Sequence, residues 1–196
     1  VTNMIAAGVF HKNRDVIRIN KPTDRDRWFM VPQMVNAYYH PMLNEIVFPA
    51  AILQAPFFDP DADIAVQFGG FGCVVAHEIS HGFDDKGRKF NKDGALIDWW
   101  AGDDGKEYER RAATMIAQAS SHEVYGQSLK GELTQGENIA DLGGVKLSLK
   151  ALQQKLTTMP VEESSRNLNG FTQMQRFFLA WSQVWRQNST KENALA

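Results

Sequence analysis

Hydrophobic and polar positions fall into several distinct rhythms along the chain. The run "NMIAAGVF" reads as the end of a helix and "DVIRIN" alternates like a short strand. From Phe29 to Leu53 the chain is rich in β-branched and aromatic residues, which predicts an antiparallel pair, roughly 33–39 with 45–50. "HPMLN" would form the turn between them, and Pro32 and Pro49 belong at strand ends or on an edge, because proline cannot donate to a ladder. Residues 70–82 read as a helix that starts after Gly69-Gly70 and stops near Gly82. "FNKDGALIDWW" then holds a Lys-Asp-Gly turn signal followed by a short apolar run.

Three longer periodic segments complete the chain. "DDGKEYERRAATMIAQASSHEVY" is a polar-faced helix with Asp103 or Asp104 as its cap. "GENIADLGGVKLSLKALQQKL" is another, whose Gly143-Gly144 permits close packing or a bend. "FTQMQRFFLAWSQVW" is a strongly apolar helix, reached through the loop or hinge "TTMPVEESSRNLNG". Without repeats or an evident linker, the pattern predicts one α+β domain, mainly helical, with a small sheet.

Composition narrows the picture. The chain has 196 residues, 43% of them hydrophobic and 22% charged, as expected of a globular protein with a sizeable core. A formal charge of −2 and the lack of a basic cluster argue against nucleic-acid binding. No stretch is long and apolar enough to serve as a transmembrane segment. Cys73 is the only cysteine, so an intrachain disulfide is impossible. The chain begins at Val1 without an initiator Met, which reads as a processed product or a fragment.

The candidate chemistry lies in "GCVVAHEISHGFDDKG". His77 and His81 are four apart, so a helix presents them on one face, one turn apart. Two imidazoles so placed bind a divalent cation at ~2.0–2.1 Å without bending the backbone. Glu78 projects one step round, where it would reach a water on that metal instead of the metal itself. The flanks are small or apolar, and burying this trio without a partner would be expensive; a metal resolves the conflict. A third ligand is still needed. Asp84 and Gly87 exclude a further histidine six residues after His81, and His11, His40 and His122 read as surface or loop residues. Glu137 is the better candidate: Glu137 and Asp141 share one face of a later helix, and Asp141 would accept a hydrogen bond from the outer nitrogen of a ligand histidine.

These residues also carry a resemblance. "VNAYYHPMLNEIVFPAAILQAPFF", "AHEISHGFDDKGRKFNKDGALIDWW" and "GELTQGENIADLGG" resemble the neprilysin-like zinc metallopeptidases of family M13, over roughly residues 28–185. The resemblance implies a zincin fold of the gluzincin, thermolysin-like kind, whose edge strand binds peptide. It implies one zinc per chain on His77, His81 and Glu137, Glu78 as the base, and Asp141 oriented toward His77. Asn36 and Ala37 would hold an extended oligopeptide, as a strand added to a sheet edge. Ile52, Phe57, Val74 and Trp185, with Cys73 as a further candidate, would line the pocket for the side chain after the scissile bond.

The same resemblance implies that this chain is an incomplete catalytic domain, and the rest of the parent protein would be its partner. The family's N-terminal helical domain is absent, as is a last segment bearing an oxyanion histidine and a substrate-gripping arginine. Extracellular animal members are rich in disulfides, so a single cysteine favours a bacterial protein, periplasmic or extracellular instead of cytoplasmic. The expected activity is zinc-dependent endopeptidase cleavage of oligopeptides. The alternative is a non-catalytic zinc-stabilised module or inactive fragment, against which Glu78 stands, since a structural zinc needs no such carboxylate.

Overall fold

Asp63 starts the helical run that positions the site. Its side chain accepts a hydrogen bond from the Ala65 amide at 3.0 Å, capping a short helix α2 (Ile64–Gln67). A single π turn at Phe68–Gly72 follows, and the chain continues directly into α3 (Cys73–Ser80) and a 3-10 turn, His81–Phe83. The computed structural model describes residues 1–195 of the chain. Gly69-Gly70 therefore lies inside this run and does not precede it, which corrects the expected start of the helix. The wider π turn absorbs the glycines, and the Ser148 hydroxyl donates to the Phe68 carbonyl at 2.6 Å, tying the turn to a distant helix.

That distant helix is α5 (Gly131–Thr157), 27 residues long, and it packs extensively along α3. The approach is close because Gly144 has no side chain: a Cβ there would lie 2.8 Å from the Cys73 carbonyl oxygen and 3.0 Å from the His77 amide. The pair Gly143-Gly144 thus serves close packing within one uninterrupted helix. Helix α4 (Asp104–Ser120) lies against α5 on another side. Asp103 occupies its N-cap position without a side-chain cap bond, and the helix ends before His122. Glu123–Val124 and Gln127–Ser128 instead form a small hairpin, where a continued helix was expected.

Helix α7 (Gln173–Val184) closes the core under α2 and the π turn. Thr172 and Gln175 form a reciprocal capping box at its start. Arg176, 7% exposed, pairs with Asp63 through its Nε at 2.9 Å and thereby links α7 to the cap of α2. Ala65, Cys73, Leu152 and Phe177 meet at the centre of this four-element core. Fully burying Phe177 contributes roughly 1.5–3 kcal/mol relative to an exposed ring.

The sheet is smaller than the pattern predicts. Strand β1 (Tyr38–His40) pairs antiparallel with β2 (Glu45–Val47), Tyr39 opposite Ile46, across a turn at Pro41–Asn44. Residues 33–37 and 48–50 fall outside the ladder, and Pro49 leads into a 3-10 turn at Ala50–Ile52. "DVIRIN" is not a strand: α1 (Thr2–Ile17) runs through Asp15, Val16 and Ile17 and ends in a turn. The 158–170 segment contains one helical turn, α6 (Val161–Ser164), and α8 (Lys191–Leu195) follows α7. No helix of the described residues is long and apolar enough to cross a membrane.

Candidate metal centre

The last turn of α3, the 3-10 turn that follows it and the first half of α5 bring the two histidines and Glu137 to one point. Glu137 Oε2 lies 3.4 Å from His77 Nε2 and 3.6 Å from His81 Nε2, and the two imidazole rings stand at 88° with centroids 4.5 Å apart. Both separations are long for hydrogen bonds. They match the ~3.4 Å between donors around a tetrahedral ion with bonds of ~2.0–2.1 Å. One donor atom from each of the three side chains lies within 4.8 Å of the others, a set that could hold a metal ion.

The outer ring nitrogens are also engaged. His77 Nδ1 lies 2.8 Å from Asp141 Oδ1, and His81 Nδ1 lies 2.7 Å from Asp84 Oδ2. An ionised carboxylate can only accept, so each Nδ1 carries a proton, and Nε2 is the ring nitrogen that each histidine has left to offer a metal. Burial alone would lower the His77 imidazole, but the Asp141 carboxylate bonded to Nδ1 and the Glu137 carboxylate near Nε2 outweigh it and push its pKa up to about 9. Two imidazoles and a carboxylate oxygen in this spacing make a donor set suited to a cation.

Asp84 is the residue that sequence reasoning missed. The sequence marks it only as a position where a further ligand histidine is lacking. Its side chain is 8% exposed, and Oδ1 accepts from the amides of Lys86, at 2.8 Å, and Gly87 while Oδ2 serves His81. Burial would raise its carboxyl, but the bond from His81 and the two amides hold it below the ordinary aspartate value. Gly87 has no room for a side chain, because a Cβ would run into the His81 carbonyl. The available signal was an aspartate three residues after a helix-borne histidine, which also fits an ordinary helix-end turn.

Glu78 is 5% exposed and lines the same cavity as His77, His81 and Glu137. Burial pushes its carboxyl above the usual glutamate value, with the two imidazoles and the Tyr39 amide pulling the other way. A glutamate so placed is a better proton acceptor than one in water.

The cavity has a volume of about 700 Å³. Asn36, Ala37, Ile52, Phe57, Val74 and Trp185 all line it. Ala37, Ile52 and Val74 are also buried together against Phe48, Phe57 and Phe71, so the apolar wall is continuous with a core cluster. Trp185, at the end of α7, remains 49% exposed. Asn36 and Ala37 sit just before β1, and the Asn36 side chain accepts from the Ala37 amide at 2.9 Å. The edge of β1 away from β2 has no strand partner among the described residues. Asp141 stands outside the cavity, behind His77. Cys73 lies in the α2–α3–α5–α7 core and does not line the cavity, which removes it from the pocket. His11 and His122 are exposed, whereas His40 is half-buried in β1 and stacks on Phe29; none of the three joins the cluster.

The sequence model described as peptidase family M13 matches residues 36–196. Endothelin-converting enzyme 1 of Homo sapiens is 45% identical over 177 residues, covering 90% of this chain and 23% of that protein. Neprilysin-3 of Drosophila melanogaster is 37% identical over 193 residues, covering 98% and 25%. Among solved structures, the Mycobacterium tuberculosis zinc metalloprotease ZMP1 in complex with an inhibitor superposes with a TM-score of 0.83 at 48% identity, over 89% of this chain and 27% of that one. PepO from Lactobacillus rhamnosis HN001 gives 0.75 at 33% identity, over 88% and 25%. The chain spans about a quarter of the length of the curated relatives it matches.

Proposed function

The chain belongs to peptidase family M13, and from that premise we propose that it carries the metal-binding and catalytic core of a zinc-dependent endopeptidase acting on oligopeptides. His77, His81 and Glu137 hold one zinc per chain. The observation that carries this reading is the convergence of two Nε2 atoms on one carboxylate oxygen, at 3.4 and 3.6 Å, with both outer nitrogens already turned to aspartates. The residues fit the ion in number, donor type and spacing.

When bound, zinc supplies Lewis acidity that polarises a carbonyl and makes water acidic near neutral pH. The rest is done by this chain. Glu78 takes a proton from the attacking water at its carboxylate and returns it to the leaving amine, so the peptide C–N bond breaks as a new C–O bond forms. Asp141 and Asp84 keep the two imidazoles in one tautomer and one orientation. The open edge of β1, with Asn36 and Ala37 beside it, offers an extended peptide its backbone groups. Ile52, Phe57, Val74 and Trp185 offer an apolar side chain somewhere to sit.

Glu78→Gln tests this directly in the full gene product. The variant is expected to keep its zinc and to lose about 10²–10⁴-fold in turnover of an oligopeptide substrate. Cleavage at the normal rate would remove Glu78 from the reaction, and a zinc-free protein under zinc-replete conditions would remove the ligand set.

A further inference from the structure

We infer that Arg88 is a positioning residue for His81, clamping the Asp84 turn through both its backbone and its side chain. The inference rests on the proposed role of His81 as a metal ligand. Arg88 is four residues beyond Asp84, and its amide donates to the Asp84 carbonyl at 3.2 Å, closing the turn whose side chain holds His81. The Arg88 carbonyl accepts two indole donors, Trp99 Nε1 at 2.9 Å and Trp100 Nε1 at 3.0 Å. A carbonyl oxygen has two lone pairs, so this acceptor is saturated by side chains from one neighbouring segment.

The side chain is fixed as well. The Arg88 guanidinium carbon lies 4.5 Å from the centre of the Tyr108 ring and 5.7 Å from that of Trp100. Its NH2 donates to Glu109 Oε1 at 3.0 Å, and the side chain is only 16% exposed. Tyr108 and Glu109 belong to α4, which packs on α5, the helix that carries Glu137. Arg88 thus joins the turn behind one candidate ligand to the helices behind another. A flexible surface arginine would make none of these ties, and a lysine could not offer the same planar face to two rings.

The test is zinc affinity of the full gene product, measured by competition with a chelator, with far-UV circular dichroism as a check on folding. Arg88→Ala is expected to weaken zinc about tenfold, the lower end of what loss of an outer partner costs. Asp84→Asn, which spoils the acceptor for His81, should weaken it by about 10–100-fold. Because Arg88 acts through Asp84, the double variant should bind zinc like Asp84→Asn alone. Arg88→Ala combined with Asp141→Asn should instead multiply the two losses.

Unchanged zinc affinity in Arg88→Ala overturns the inference. So does a loss that multiplies with Asp84→Asn, since that marks general loosening. Should Arg88→Ala fail to fold, Trp100→Phe keeps the ring and removes one donor to the Arg88 carbonyl. About threefold weaker zinc, absent in the Asp84→Asn background, supports the inference, and no change overturns it. An unsubstituted protein that takes no zinc overturns the ligand assignment itself, and this inference with it.

Discussion

The two histidines of the cluster are held in different ways. His77 leans on Asp141, which comes from another helix 64 residues away, and that side chain is 39% exposed. His81 leans on Asp84, three residues on, and that side chain is 8% exposed and bonded to two backbone amides besides. The distant partner depends on how closely α5 approaches α3. The local partner depends on a turn that one glycine makes possible. A carboxylate in water is screened and replaceable, whereas one buried in a turn is neither. The nearer, less conspicuous aspartate is therefore expected to matter more.

Two substitutions and a control break or sharpen that contrast. Asp84→Ala should have the largest effect, weakening zinc retention toward the hundredfold end of the range for outer partners, since it also removes the acceptor for two amides. Chelator competition reads this directly. Asp141→Ala should weaken retention by about tenfold, because solvent and salt stand in for part of an exposed carboxylate. If Asp141→Ala proves the worse of the two, the long-range contact dominates and the ranking by burial fails. His11→Ala, on exposed α1, should leave zinc content unchanged and shift stability by less than about 0.5 kcal/mol. Metal loss in that variant would mean that the cluster is not self-contained.

Much of the site was legible because helix periodicity is an exact constraint over short distances. His77 with His81, and Glu137 with Asp141, each announce a shared face, and convergence needed only one helix to return along the other. The hairpin and its turn were legible for a similar reason: "HPMLN" permits few alternatives. The resemblance to a family supplied the cavity residues, which no periodicity marks.

What was misread has physical causes. Alternating β-branched residues at "DVIRI" mimic a strand, yet the penalty for Val and Ile in a helix is small, and α1 carries Val16 and Ile17 while Ile19 falls in the turn beyond it. The Gly69-Gly70 pair looks like a break, but a π turn accommodates it, and α2 on its far side is capped by Asp63 and anchored by Arg176. Asp84 was invisible because an acid just past a helix fits any surface turn. Only its burial distinguishes it, and α5, returning from elsewhere in the chain, lies against it so closely that a Cβ at Gly136 would sit 3.3 Å from Asp84 Oδ2.

Cys73 supplies a clock for this architecture. It is the chain's single thiol, 4% exposed and pressed between α3 and its neighbours, and its pKa is pushed up to about 12 mainly by burial. An alkylating reagent must wait until those helices part, so the rate of labelling counts how often the scaffold behind the candidate metal site breathes.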